Sequence, residues 1–274
     1  MRGSRPTIVV VVALLIVLIA IAASFIISIP SAVTANTTTI LQQHGAAMAG
    51  ILIPLYSAPD SPIWFEVSKV KSDYKSVPVI AIIDPNNGPG ASQNSTYTFG
   101  VELLKATGTR VAGYIDTDYG AVPFSNVTRQ INEYKDWYSS NNIFLDRMAS
   151  APGMESYYSN ITKYVDSLGM NLTIGNAGTN VSSSYMGTVD NIVVYEGSGL
   201  PSLSYLMGIS RNYSGQGISF ISYGVPDLNV SYVMDASKYA SFMYITNFTA
   251  PGQYSNIPPY FTSFAAALAS TTSG

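Results

Sequence analysis

Three short apolar stretches of this chain end on a carboxylate: Gly113-Tyr-Ile-Asp116-Thr-Asp118-Tyr119, Ile143-Phe-Leu-Asp146-Arg147 and Val193-Val-Tyr-Glu196. Two acids facing one bond can protonate its leaving oxygen and attack, or activate water at, the carbon left behind, which is the chemistry of glycoside hydrolysis. Asp146 and Glu196 each follow a strongly apolar run, where a solitary charge is costly unless it is used, so they are the candidate catalytic pair. Asp116 and Asp118 are supporting acids, for which capping of loop amides is the duller role. Tyr56, Asp84, Asn86, Tyr114, Tyr119, Arg147, Asn176 and Tyr223 are candidate sugar contacts, since amides bind hydroxyls and aromatic rings stack on C–H faces. The segment from Asp84 to Gly90 also reads as a turn alone, and Arg147 as the partner of a nearby acid.

Such acids meet only if strands bring them to one place. Short β-rich runs recur at 50–56, 77–84, 110–116, 142–147, 172–176, 191–196, 218–223 and 239–246, most of them continuously apolar, as parallel strands buried on both faces are. Helical patterns lie between them. The clearest are Tyr97 to Thr107, Val127 to Tyr138 with Ser125 as N-cap, and Met154 to Leu168, with Gly108 and Gly169 placed to end the first and last. Ser182 to Val189 and Tyr260 to Leu268 make only short helices. Period-two alternation puts Tyr114, Asp116 and Asp118 on one face of the third strand and Ile192, Val194 and Glu196 on one face of the sixth. Eight alternating units predict closure into a TIM-type (β/α)8 barrel, whose C-terminal strand ends converge on one mouth; an open doubly wound sheet is the alternative.

Composition narrows the chemistry further. The chain has 274 residues with no Cys, one His and a net charge of −3, which offers no thiolate, no disulfide and no electrostatic footprint for nucleic acid. The single His44 precedes the folded region, so a Ser-His-Asp triad or His-based zinc site lacks its histidine. There is no GxGxxG and no P-loop, and Gly88-Pro89-Gly90 lacks the Lys and Ser/Thr that hold nucleotide phosphates. No cofactor and no metal is expected.

Residues 8–29 form an uncharged apolar run long enough, at ~1.5 Å per residue, to cross a hydrocarbon core of roughly 30 Å. Arg2 and Arg5 precede it and no charged residue follows until Asp60, which predicts a cytoplasmic N-terminus (1–7), a transmembrane anchor (8–29) and an extracellular remainder. Cleavage of a signal peptide after residue 35 is the competing reading, in which the protein is secreted. A Ser/Thr/Ala/Gln-rich tether spans 30–47, the barrel 48–268 and a polar tail 269–274. Nine Asn-x-Ser/Thr triplets occur where composition predicts about three or four, an excess that fits an exported, glycosylated surface.

Gly50-Ile-Leu-Ile-Pro-Leu-Tyr56, Val79 to Gly90 with its Asn-Asn-Gly-Pro-Gly ending, Gly113 to Gly120, Ile143 to Asp146, Gly175-Asn176 and Tyr195-Glu196, taken together and in order, resemble the spherulation-specific family 4 proteins. The resemblance implies a (β/α)-barrel. It also implies kinship with fungal members that act as secreted endo-α-1,4-N-acetylgalactosaminidases on a galactosamine-containing exopolysaccharide. By position, Asp146 matches the family's fourth-strand Asp and Glu196 its later catalytic-type Glu. The chain departs where fungal members often carry Asp-Glu, since Arg147 follows Asp146. The expected function is a membrane-anchored hydrolase of an amino-sugar polysaccharide, with a noncatalytic glycan-binding surface protein as the alternative.

Overall fold

The computed structural model describes residues 48–213 and 215–271. Eight parallel strands close in chain order: β1 (Gly50–Leu55), β2 (Val79–Ile83), β3 (Arg110–Asp116), β4 (Asn142–Asp146), β5 (Leu172–Asn176), β6 (Asn191–Ser198), β7 (Gly217–Tyr223) and β8 (Phe242–Ile245). Gly50 and Ile51 of β1 pair in register with Phe242 and Met243 of β8, so the sheet has no free edge and the open doubly wound alternative is excluded. Every residue of β1, β2 and β8 is buried, which is why these strands read as unbroken apolar runs rather than as alternating ones.

Among the described residues seven α-helices surround the strands: α1 (Pro62–Asp73), α2 (Ser95–Ala106), α3 (Phe124–Tyr138), α4 (Glu155–Ser167), α5 (Leu203–Asn212), α6 (Val230–Ala236) and α7 (Phe261–Ser270). Between β5 and β6 there is a single 3-10 turn, Ser183–Tyr185, whereas the eighth unit carries the ten-residue α7. Ser61, Asn94, Ser202 and Asn229 cap α1, α2, α5 and α6 by accepting hydrogen bonds from first-turn amides. Ser125 is not the cap of α3. That helix starts at Phe124 behind Pro123, and Ser125 lies in its first turn, where its carbonyl accepts from the Thr128 hydroxyl at 3.1 Å. Gly108 and Gly169 end α2 and α4 at φ of +88° and +68°, a region that favours glycine.

Barrel and helices lock together at one close approach. A Cβ on Gly113 of β3 would clash with the ring of Tyr134, a buried α3 side chain whose hydroxyl donates to the Ile83 carbonyl at 3.3 Å. The glycine immediately before Tyr114 therefore lets α3 seat against the strand that carries the first site residues. Among the described residues no helix is long and apolar enough to cross a membrane. The apolar run 8–29, the tether 30–47 and His44 lie outside the described residues.

Candidate active site

In this barrel Asp116 of β3 lies in register with Asp146 of β4, both at the last residue of their strands. The loop ends beyond them are knitted together by backbone bonds. Thr117 N–H and its hydroxyl donate to the Asp146 carbonyl at 3.0 and 2.9 Å, the same hydroxyl reaches the Arg147 carbonyl at 3.0 Å, and Tyr119 N–H donates to that carbonyl at 2.8 Å. Asp118, Tyr119 and Arg147 hold positive φ of 43°, 56° and 48°, a conformation costly for non-glycine residues that this network sustains.

Asp146 and Glu196 meet through Asn176. Its Nδ2 donates to Asp146 Oδ1 at 2.8 Å and to Glu196 Oε2 at 2.6 Å. The other oxygen of each acid accepts from a tyrosine: Tyr114 to Asp146 Oδ2 at 2.8 Å, Tyr254 to Glu196 Oε1 at 2.6 Å. Burial first, and then the adjacent carboxylate, pushes the pKa of both phenols far above the usual tyrosine value, so each remains a hydrogen-bond donor. Tyr56 stands edge-on to both of these rings, 5.8 Å from each, and links the two acid-holding tyrosines into one aromatic row. Its hydroxyl is likewise kept neutral by burial and by the charges of Asp146 and Glu196, without a hydrogen bond to either.

Glu196 reaches this place by an irregularity. The register of β6 against β7 slips between Val193 and Tyr195, so one alternating face cannot run from Ile192 through Val194 to Glu196 as the spacing predicts. A bulge of this kind re-aims the side chains that follow it. Glu196 N–H then donates to the Gly178 carbonyl at 3.0 Å, and Gly178, at φ +64°, donates in turn to the Val193 carbonyl at 3.1 Å.

An open cleft of about 400 Å³ is lined by Asp146, Asn176 and Glu196, flanked by Tyr119, Arg147 and Tyr223 and by Ala177, Gly178 and Gln253. Asp116 and Asp118 are turned elsewhere. Arg147 grips both, through Nε to Asp116 Oδ1 at 2.8 Å, through Nη2 to Asp116 Oδ2, and through Nη1 to Asp118 Oδ1 at 2.9 Å. Burial alone would raise the Asp116 pKa, but Arg147 and the Asp118 amide outweigh it and hold that carboxyl below the usual range. Asp118 does not share a strand face with Tyr114 and Asp116, because β3 ends at Asp116 and Asp118 opens a 3-10 turn. The Arg147 guanidinium also lies 5.7 Å from the centre of the exposed Tyr119 ring.

Two further candidates serve the loop after β2. Asp84 accepts from Gly88 N–H at 2.7 Å, which is the turn role; burial raises its pKa, the Gly88 amide offsets part of that, and the charge of Asp146 adds to it. Asn86 is exposed in a separate hollow of about 370 Å³ beside Pro85, Pro89 and Asn94. Tyr254 and Gln253 escape sequence reasoning. Both sit in the turn-rich segment between β8 and α7, where no periodicity assigns a direction; their only signal is that they follow a strand end. Among the described residues no three His, Cys, Asp or Glu side chains gather so as to hold a metal ion.

A family model described as spherulation-specific family 4 matches residues 50–268. Spherulin-4 of Physarum polycephalum is 33% identical over 181 residues, 60% of this chain and 54% of that protein, so the chain matches about half the length of this relative. Aspergillus clavatus Sph3, solved in complex with GalNAc, superposes with a TM-score of 0.72 at 21% identity, covering 81% of this chain and 98% of that one. The YdjI aldolase of Escherichia coli K12 superposes at 0.52 with 12% identity, covering 82% and 88%. At these identities the two structures speak to the barrel alone.

Proposed function

The chain belongs to spherulation-specific family 4, and from that premise we propose that it is a glycoside hydrolase cutting an amino-sugar polysaccharide, with Asp146 and Glu196 as its catalytic carboxyl groups. The observation that carries this reading is the single Asn176 nitrogen shared by both acids. Bonds of 2.8 and 2.6 Å to a common atom keep the nearest oxygens closer together than the sum of those lengths. That fits the roughly 5–5.5 Å of retaining enzymes better than the roughly 6.5–9.5 Å that leaves room for a water in inverting ones. In the retaining sequence one carboxyl gives its proton to the glycosidic oxygen as the C1–O bond breaks, while the other carboxylate bonds to C1. Water then displaces that carboxylate, losing its proton to the first group.

The complex of Sph3 with GalNAc supports an amino sugar as ligand. The apolar run 8–29 with its flanking arginines supports an anchored protein whose barrel faces the outside. A second reading, a noncatalytic glycan-binding protein, is favoured by Arg147. It stands directly after Asp146 and neutralises Asp116 and Asp118 rather than adding a third acid. The decisive experiment incubates residues 46–274 with galactosamine- and glucosamine-type polymers, N-acetylated and free, and follows new reducing ends. Product is expected from at least one polymer; binding without product would transfer the assignment to the second reading.

A further inference from the structure

Eight of the nine Asn-x-Ser/Thr triplets begin within the described residues, and none of the eight begins on a buried asparagine. Asn94, Asn126, Asn160, Asn171, Asn180, Asn212 and Asn229 are exposed, and only Asn247 is partly buried. The buried asparagines, Asn142, Asn176 and Asn191, begin no such triplet. Most described asparagines are exposed, Asn86, Asn87, Asn141 and Asn256 among them without a triplet, so the weight lies on the excess of triplets and on the absence of any that begins on a buried asparagine.

The carboxamides of the exposed set are also placed to accept a glycan. Asn94 and Asn229 cap α2 and α6 through Oδ1, so in both the stabilising bond uses the oxygen and not Nδ2. Asn247 differs. Its Oδ1 is buried without a partner, and its neighbours are tied into the barrel wall, the Phe248 carbonyl accepting from Gly224 N–H at 2.7 Å and the Thr246 carbonyl from Val225 N–H at 3.0 Å.

We propose that this barrel is N-glycosylated at the seven exposed asparagines and not at Asn247. The co-reactant is a lipid-(pyro)phosphate-linked oligosaccharide. A bond forms between Asn Nδ2 and the sugar C1 as the bond from C1 to the phosphate oxygen breaks, the amide proton passes to a base of the transferase, and the lipid (pyro)phosphate leaves. Asn94 and Asn229 at helix N-termini, Asn126 in the first turn of α3 and Asn180 just beyond β5 all lie at the end of the barrel that holds the cleft, so four glycans would frame its mouth.

The test is peptide mass spectrometry on the full chain purified from the cells that naturally make it, which reads carbohydrate whether or not the cleft hydrolyses anything. Hexose-bearing mass increments are expected on most of the seven sites and none on Asn247. Thr96→Ala and Ser231→Ala should each remove one glycan while Asn94 and Asn229 keep their caps and the protein its melting temperature. Bare peptides at most of the seven sites, or Asn247 occupied as fully as they are, would overturn the proposal.

Discussion

Asp146 and Glu196, fifty residues apart in the chain, accept hydrogen bonds from the same nitrogen of Asn176, at 2.8 and 2.6 Å. One neutral donor thus sets both the distance between the acids and the direction of each. Asn176→Asp replaces that donor with a third acceptor among two carboxylates, and should lower kcat/KM by ~10²-fold or more. It should also cost about 1–3 kcal/mol of stability, because the site is buried and the new group finds no donor. Steady-state kinetics beside urea unfolding checks both; a variant within about threefold of wild type would dissociate Asn176 from the acid pair.

Asp146→Asn and Glu196→Gln keep size and remove the charge and proton that cleavage requires. Each should slow turnover ~10²-fold or more, with loss of the nucleophile the graver, while unfolding midpoints move little because both groups line an open cleft. Azide separates the roles: the variant lacking the nucleophile should yield a glycosyl azide of inverted anomeric configuration, and the variant lacking the acid a retained one. Near-normal turnover by Glu196→Gln would remove it from the catalytic set.

Asp84 and Asp116 should carry opposite pH signatures. The folded pKa of Asp84 is raised from 3.8, chiefly by burial, so the folded state holds its proton more tightly and stability falls as pH rises from 3.8 through the raised value. Asp84→Asn, whose amide oxygen can still accept from Gly88, should therefore raise Tm at neutral pH, and that gain should fade towards acid. The folded pKa of Asp116 is lowered by Arg147 against the pull of burial. Its contribution is present above 3.8 and is lost as pH falls through the lower folded value, so Asp116→Asn should reduce Tm at neutral pH and match wild type in strong acid. Melting curves between pH 2 and 7 would expose a wrong sign in either case.

The proposed anchor has its own consequence. Protease added to intact cells should strip the barrel and leave a short membrane-bound stub that includes residues 8–29. Recovery from the medium of a chain starting near Asn36 would instead establish a cleaved signal peptide.

Much of this architecture is legible without coordinates. Parallel strands sealed between a core and a helix layer must be apolar on both faces, so β1, β2 and β4 announce themselves, and the first polar residue after each marks a strand end. Since all eight strands run the same way, those ends have to share a mouth, and Asp146, Asn176 and Glu196 follow as neighbours in kind if not in contact. Gly108 and Gly169 mark helix ends for an equally local reason, the left-handed φ each adopts.

What tertiary structure alone decided is where each group turns. The slip in β6 defeats simple alternation, because a bulge is recorded in the pairing of two strands and not in the spacing of one. Asp116 and Asp118 face Arg147 because the loops after β3 and β4 are bonded to each other across about thirty residues of chain, and an ion pair at that separation has no sequence period. Tyr254 reaches Glu196 from a loop 58 residues away only because barrel closure brings the segment after β8 back over the same mouth. Residue types and strand ends are local properties that the amino-acid sequence determines by itself. The hydrogen bonds that turn a set of acids into a pair are made between strands, and they exist only once the barrel has closed.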